Sequence, residues 1–156
     1  MIEYFRHEAM NQATVISGFC EIIETFLIKN PRTFNDAFPP VLQKISSLVQ
    51  TFNETLSAFH EECAEIALNE SQLLALNPQA DITSYISDSC RIQFDVLKDF
   101  AKEMVTITQS VTIEAIGNEV AAKKYLFIVE SAVKLHELFL HPVVFLQSAV
   151  SEHQSS

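Results

Sequence analysis

Apolar residues recur along this chain at steps of three and four, the period of helices packed along one face. The first such set is Ile2, Phe5, Ala9, Ala13, Ile16, Cys20, Ile23 and Leu27. It predicts a helix from about Ile2 to Lys29, ended by Pro31 and the polar residues after it, because proline has no amide proton to continue the ladder. A second set, Leu42, Ile45, Val49, Phe52, Leu56, Phe59, Cys63 and Ile66, predicts a long helix that starts after Pro39-Pro40 and ends near Leu76, where Asn77-Pro78 breaks the chain. A third helix begins near Asp81, an N-cap for Ile82 onward, with the stripe Ile86, Cys90, Phe94, Leu97, Phe100, Met104, Ile107 and Val111. Within it, the stretch from Val105 to Ile113 is rich in β-branched residues and could instead be strand, a choice that extends to Ile116. Gly117-Asn118 is the next break. A fourth helix runs from about Glu119 to Val150, with a kink or stop near Pro142. It is apolar nearly all round, from Tyr125 to Val129 and again from Leu138 to Leu146. That pattern suits a helix central in its bundle or covered by a second subunit.

This pattern describes an all-α fold: a four-helix bundle, or a helical hairpin completed by dimerisation. A single domain covers 1–150, and the tail 151–156 is expected to fray. Composition narrows the picture. The only glycines are Gly18 and Gly117, too few for most β-rich folds or for loops that cradle phosphate with backbone amides. A net charge of −10 argues against a nucleic-acid surface, which needs a basic face. No apolar run approaches the ~20 residues of a membrane span, and no leader pattern is seen at the start. A cytoplasmic protein with no membrane partner is expected. The cysteines, Cys20, Cys63 and Cys90, are odd in number and lie on apolar stripes, as reduced core thiols do.

The polar side of the first helix carries the candidate chemistry. His7, Asn11, Thr14, Gly18, Glu21 and Thr25 recur at helical spacing, opposite the apolar stripe. His7 lies about 200° around the helix from Ala9, so its ring is expected to face solvent. An exposed neutral imidazole is a nucleophile for phosphoryl groups when its second nitrogen is held. Glu8 is placed to orient or deprotonate the ring. Asn11 is placed to position a water or a phosphoryl oxygen. Gly18 leaves room for another protein to approach.

The string His7-Glu8-x-x-Asn11, followed by Thr14-Val15-Ile16-Ser17-Gly18-Phe19 and Glu21-Ile22-Ile23, resembles the H-box of the histidine kinase dimerisation and phosphoacceptor domain, or of a histidine phosphotransferase derived from it. The resemblance implies phosphorylation of His7, assistance from Glu8 and a phosphatase role for Asn11. It also implies a partner-binding face at Thr14, Gly18 and Glu21. The expected partner is a response-regulator receiver domain or a histidine kinase. No cofactor is bound tightly, and Mg²⁺ arrives with the receiver. The resemblance also favours a two-fold dimer over a closed monomer. Gln12 stands where the family has proline, and few residues precede His7. Residues from Val111 to Lys134 faintly resemble the start of the family's ATP-binding domain, but Ser131 replaces the expected asparagine and the glycine-rich boxes are missing. Phosphotransfer, phosphatase action or plain binding is therefore expected rather than ATP-dependent kinase activity. The alternative is a non-catalytic helical regulator that docks a receiver or kinase without being phosphorylated.

Other residues carry weaker signals. A hemerythrin-like di-iron bundle would need histidines and carboxylates sharing faces. His136 and His141 are about 140° apart around a helix, and His60 has only Cys63 at helical spacing. Cys20 lies on the apolar stripe with no basic neighbour, so its thiolate is not favoured. Glu61, Glu62, Glu65, Lys123 and Lys124 read as solvated faces. A lone exposed histidine is itself more often a plain surface residue than a nucleophile, and it is the extended motif that lifts His7 above that reading.

Overall fold

A computed structural model describes the backbone of residues 2–76 and 88–140, and the side chains of 5–61 and 91–140. It is all-α, with α1 (Ile2–Lys29), α2 (Phe38–Leu76), α3 (Asp88–Gln109) and α4 (Glu119–Leu140), and no strand among the described residues. Each helix packs on its two neighbours around a ring, α1 on α2 and α4, and α3 on α2 and α4. Phe5 meets Phe139 and Phe19 meets Phe127, so α1 and α4 run antiparallel. Phe38 meets Tyr125 and Phe52 meets Phe139, so α2 and α4 run parallel across the bundle. The arrangement is an up-down-up-down four-helix bundle.

The apolar stripes account for the core. On α1, Phe5, Ala9, Ala13, Ile16, Cys20 and Ile23 are buried, as the spacing predicts, and Leu27 is half-buried. On α2, Leu42, Ile45, Val49, Phe52, Leu56 and Phe59 are all buried. Pro39 and Pro40 lie inside the first turn of α2, not before it. The first amides of a helix have no intrahelical partner, so proline loses nothing there. Asn35 supports this start, its side-chain oxygen accepting from the Ala37 amide at 3.0 Å.

On α3 the expected stripe needs correction. The fully buried positions are Leu97, Ala101, Met104 and Thr108, while Phe94, Phe100 and Ile107 are half-buried. Small Ala101 and Thr108 share the buried side with Leu97 and Met104, and Phe94, Phe100 and Ile107 pack against the core from its edges. The Thr108 hydroxyl donates to the Val105 carbonyl at 3.1 Å, so its burial leaves it satisfied. Tyr125 closes the same region, its buried hydroxyl donating to the Thr108 carbonyl at 2.6 Å. The β-branched stretch after Val105 is helix to Gln109, followed by a turn and a 3-10 turn at Ile113–Ala115. Residues Val111 to Lys134 thus form the α3–α4 connection and most of α4, and Ser131 is buried in the bundle.

The loops joining α1 to α2 and α3 to α4 interlock at one end. The Asn35 amide donates to the Ile116 carbonyl at 2.9 Å. Asn118 caps α4, accepting from the Ala121 amide at 3.0 Å, and donates to the Thr33 hydroxyl at 2.8 Å. Gly117 lies between these bonds at φ +96°, where a side chain would be strained. At the opposite end Phe5, Phe59, Phe94 and Phe139, one from each helix, form a connected ring cluster.

The fourth helix is neither fully enclosed nor fully exposed. Leu138 is buried, whereas Val120, Leu126 and Phe127 are exposed. The expectations for the Asp81 cap, Ile82, Ile86, His141, Pro142, Phe145, Val150 and the tail 151–156 fall outside the described residues, as do those for the side chains of Ile2, Glu62, Cys63, Glu65, Ile66 and Cys90. No described helix is long and apolar enough to cross a membrane.

Candidate functional site

The rotation of α1 is set by what it buries. Phe5 packs edge-on against Phe139 at 5.0 Å between ring centres and against Phe94 at 5.7 Å. Ala9 is fully buried one turn later. His7 lies between them in sequence and about 160–200° from both around the helix. Its ring is therefore exposed, as the sequence predicts. Asn11, Thr14, Glu21 and Thr25 are also exposed, and Gly18 is half-buried. From His7 to Thr25 this row spans about 27 Å at the helical rise.

The geometry separates two residues paired by the sequence motif. Glu8 follows His7 by about 100° around the helix and is half-buried at the edge of the row. Among the described residues no hydrogen-bond or ion-pair partner holds the His7 ring. The Thr25 hydroxyl donates to the Glu21 carbonyl at 3.0 Å, and Glu21 itself is exposed. A Cβ built on Gly18 meets nothing within 4 Å, so the surface there is open. The row is an open polar strip with an exposed imidazole at one end.

The other candidates are placed less favourably for chemistry. Cys20 is a free thiol buried under α1. Burial, and then the charges of Glu24 and Glu21, push its pKa up to about 12, so it keeps its proton at neutral pH. His60 and His136 are both half-buried. No set of three or more His, Cys, Asp or Glu side chains among the described residues is grouped to hold a metal ion.

One surface feature was not read from the sequence. Phe19 on α1 stacks on Phe127 of α4, with ring centres 4.9 Å apart and planes 11° from parallel. Val15 and Ile22 flank it on α1 and are exposed. The signal was present as a second row, Val15, Phe19, Ile22 and Phe26, again at steps of four, three and four beside the core stripe. Comparison of the chain with protein-family models, with curated proteins and with solved structures gives no match.

Proposed function

We propose that the chain is a two-component signalling module in which His7 exchanges a phosphoryl group with a response-regulator receiver domain. The observation that supports this reading is the exposure of His7 at the head of a polar row containing Asn11, Thr14, Gly18 and Glu21. In the step envisaged, a neutral imidazole nitrogen attacks the phosphorus of a receiver aspartyl phosphate in line. An N–P bond forms, the P–O bond to the aspartate breaks, and the aspartate leaves as carboxylate. The partner supplies Mg²⁺ to offset the charge on the transferring oxygens. Ring and phosphoryl group can meet only at an open surface, which α1 offers at this point.

A second reading has its own support. Glu8, the residue expected to orient the ring, lies about 100° around the helix from His7 and is half-buried, and such an orienting partner is what sharpens a histidine nucleophile. In that reading the same row docks a receiver or kinase and regulates it without being phosphorylated. Incubation with phosphorylated receiver domains separates the two. Phosphotransfer yields acid-labile phosphate on wild type and none on His7→Gln, with stability unchanged to within about 0.5 kcal/mol because the side chain is exposed. If wild type binds the receiver and stays unlabelled, the non-catalytic reading stands and the first is wrong.

A further inference from the structure

We infer that a groove along the outer side of α4 is the docking site of the chain's own residues 141–156, which turn back over the helix they follow. The core side of α4 carries Tyr125, Ile128, Ala132, Leu135 and Phe139. A second row runs beside it, Leu126, Val129, Val133, His136 and Leu140, at steps of three, four, three and four. These five fall within about 80° around the helix and so form one strip. Leu126 and Leu140 are exposed at 46% and 45%, and the three between them are half-buried. An open groove of about 700 Å³ follows this strip, lined by Leu126, Val129 and Val133 and by the charged Lys123, Glu130 and Lys134. Every described residue that lines it is on α4. A single helix is convex, so the described residues supply one wall only. A helix facing water on this side would be polar there.

Composition, reach and tethering identify the occupant. From His141 to Ser151 the sequence holds no Asp, Glu, Lys or Arg, and it includes Val143, Val144, Phe145, Leu146, Ala149 and Val150. Such a stretch needs apolar cover of its own. Pro142 has no amide proton to continue the α4 ladder, which gives the chain a place to reverse next to Leu140. Leu126 lies about 21 Å back along α4 from Leu140. Residues 141–156 span about 24 Å even at the compact helical rise, and more when extended, so they reach the whole strip. Attachment at Leu140 holds them at an effective concentration of about millimolar, which a free partner at micromolar concentration cannot match. The other stretch outside the described residues, 77–87, joins α2 to α3 and has no such tether to α4.

This docking does not depend on the phosphoacceptor reading, since none of its residues is on α1. Limited chymotrypsin digestion of the full chain tests it, with cleavage after Phe145 and Leu146 followed by mass spectrometry. Leu126→Glu places a charge in the groove on an exposed side chain, and circular dichroism checks that the bundle stays folded. Cleavage is expected to be about tenfold faster in Leu126→Glu than in wild type, because proteolysis follows the population of the undocked form. A second measurement uses the absence of tryptophan from the chain. Phe145→Trp is then a unique reporter, expected to emit to the blue of the urea-unfolded protein and to resist acrylamide, and to lose both properties when Leu126→Glu is added. Equal cleavage rates in wild type and folded Leu126→Glu overturn the proposal, whether both are fast or both slow. So does a reporter that emits as in the unfolded chain together with rapid cleavage of wild type. Protection that disappears on dilution from micromolar to nanomolar protein would assign the groove to a second copy, and would also overturn it.

Discussion

The chain's two glycines should respond to the same substitution with opposite sign. At Gly117 an added Cβ would lie 2.7 Å from the Thr33 carbonyl oxygen, 3.0 Å from the Asn35 nitrogen and 3.3 Å from the Phe34 Cα. All three are backbone atoms, so no side chain can swing away. The positive φ of 96° adds a steric cost of about 1–2 kcal/mol for any L-residue. Relieving the overlap means separating the interlocked loops, which weakens the Asn35–Ile116 or Asn118–Thr33 hydrogen bond by about 1 kcal/mol. The reduced freedom of the unfolded chain returns about 0.4–1 kcal/mol. The net expectation for Gly117→Ala is a loss of about 2 kcal/mol. Gly18 is mid-helix with nothing within 4 Å of a built Cβ, so Gly18→Ala should gain about 0.5–1 kcal/mol from helix propensity alone. Urea unfolding followed by circular dichroism measures both, with the midpoints moving apart and the slopes unchanged. If Gly117→Ala unfolds within about 0.5 kcal/mol of wild type, the two loops are not held together as described, and the reasoning fails.

Further outcomes follow from the same contacts. Tyr125→Phe should cost about 1–2 kcal/mol, because it leaves the buried Thr108 carbonyl at the end of α3 without its donor; chemical denaturation showing no loss would mean that water reaches this carbonyl. Phe139→Ala should cost about 3–5 kcal/mol by opening the ring cluster beneath His7, and a loss under about 1 kcal/mol would contradict the packing. Burial lifts the Cys20 pKa from 9.0 to about 12 and raises that of Tyr125 above its ordinary 10.0, the Tyr125 shift coming from burial first and Cys20 second. The unfolded chain therefore loses these protons first, so their contribution is full below about pH 9 and declines as pH rises toward 12. Unfolding free energies that stay level through that alkaline range would show the two groups to be solvated. If His7 is phosphorylated, Asn11→Ala should still accept label but hold it longer, which a chase of the labelled protein measures; an unchanged lifetime would remove Asn11 from the site.

The polar row on α1 was legible in the sequence because helical geometry converts spacing directly into direction. Once Phe5 and Ala9 are buried, His7 must point outward, whatever else the chain does. The same arithmetic placed the α2 seam from Leu42 to Phe59. On α3 it placed Leu97 and Met104 in the core but set Phe94, Phe100 and Ile107 too deep, since a stripe drawn through the largest apolar residues assumes that size decides burial. The small Ala101 and the self-satisfied Thr108 are the other fully buried positions, and which side of α3 is buried depends on where neighbouring helices pass. Gly117-Asn118 could be read as a break, but the grip of Asn118 on Thr33, 85 residues away in the chain, is a property of two loops meeting in space. Likewise the surface row at Val15, Phe19 and Ile22 becomes meaningful only when α4 brings Phe127 beside it. Local sequence determined which way each side of α1 and α2 faces, because that depends on helical period alone. Tertiary structure decided which residues touch across helices, because rotation, level and loop closure are fixed only when all four pack together.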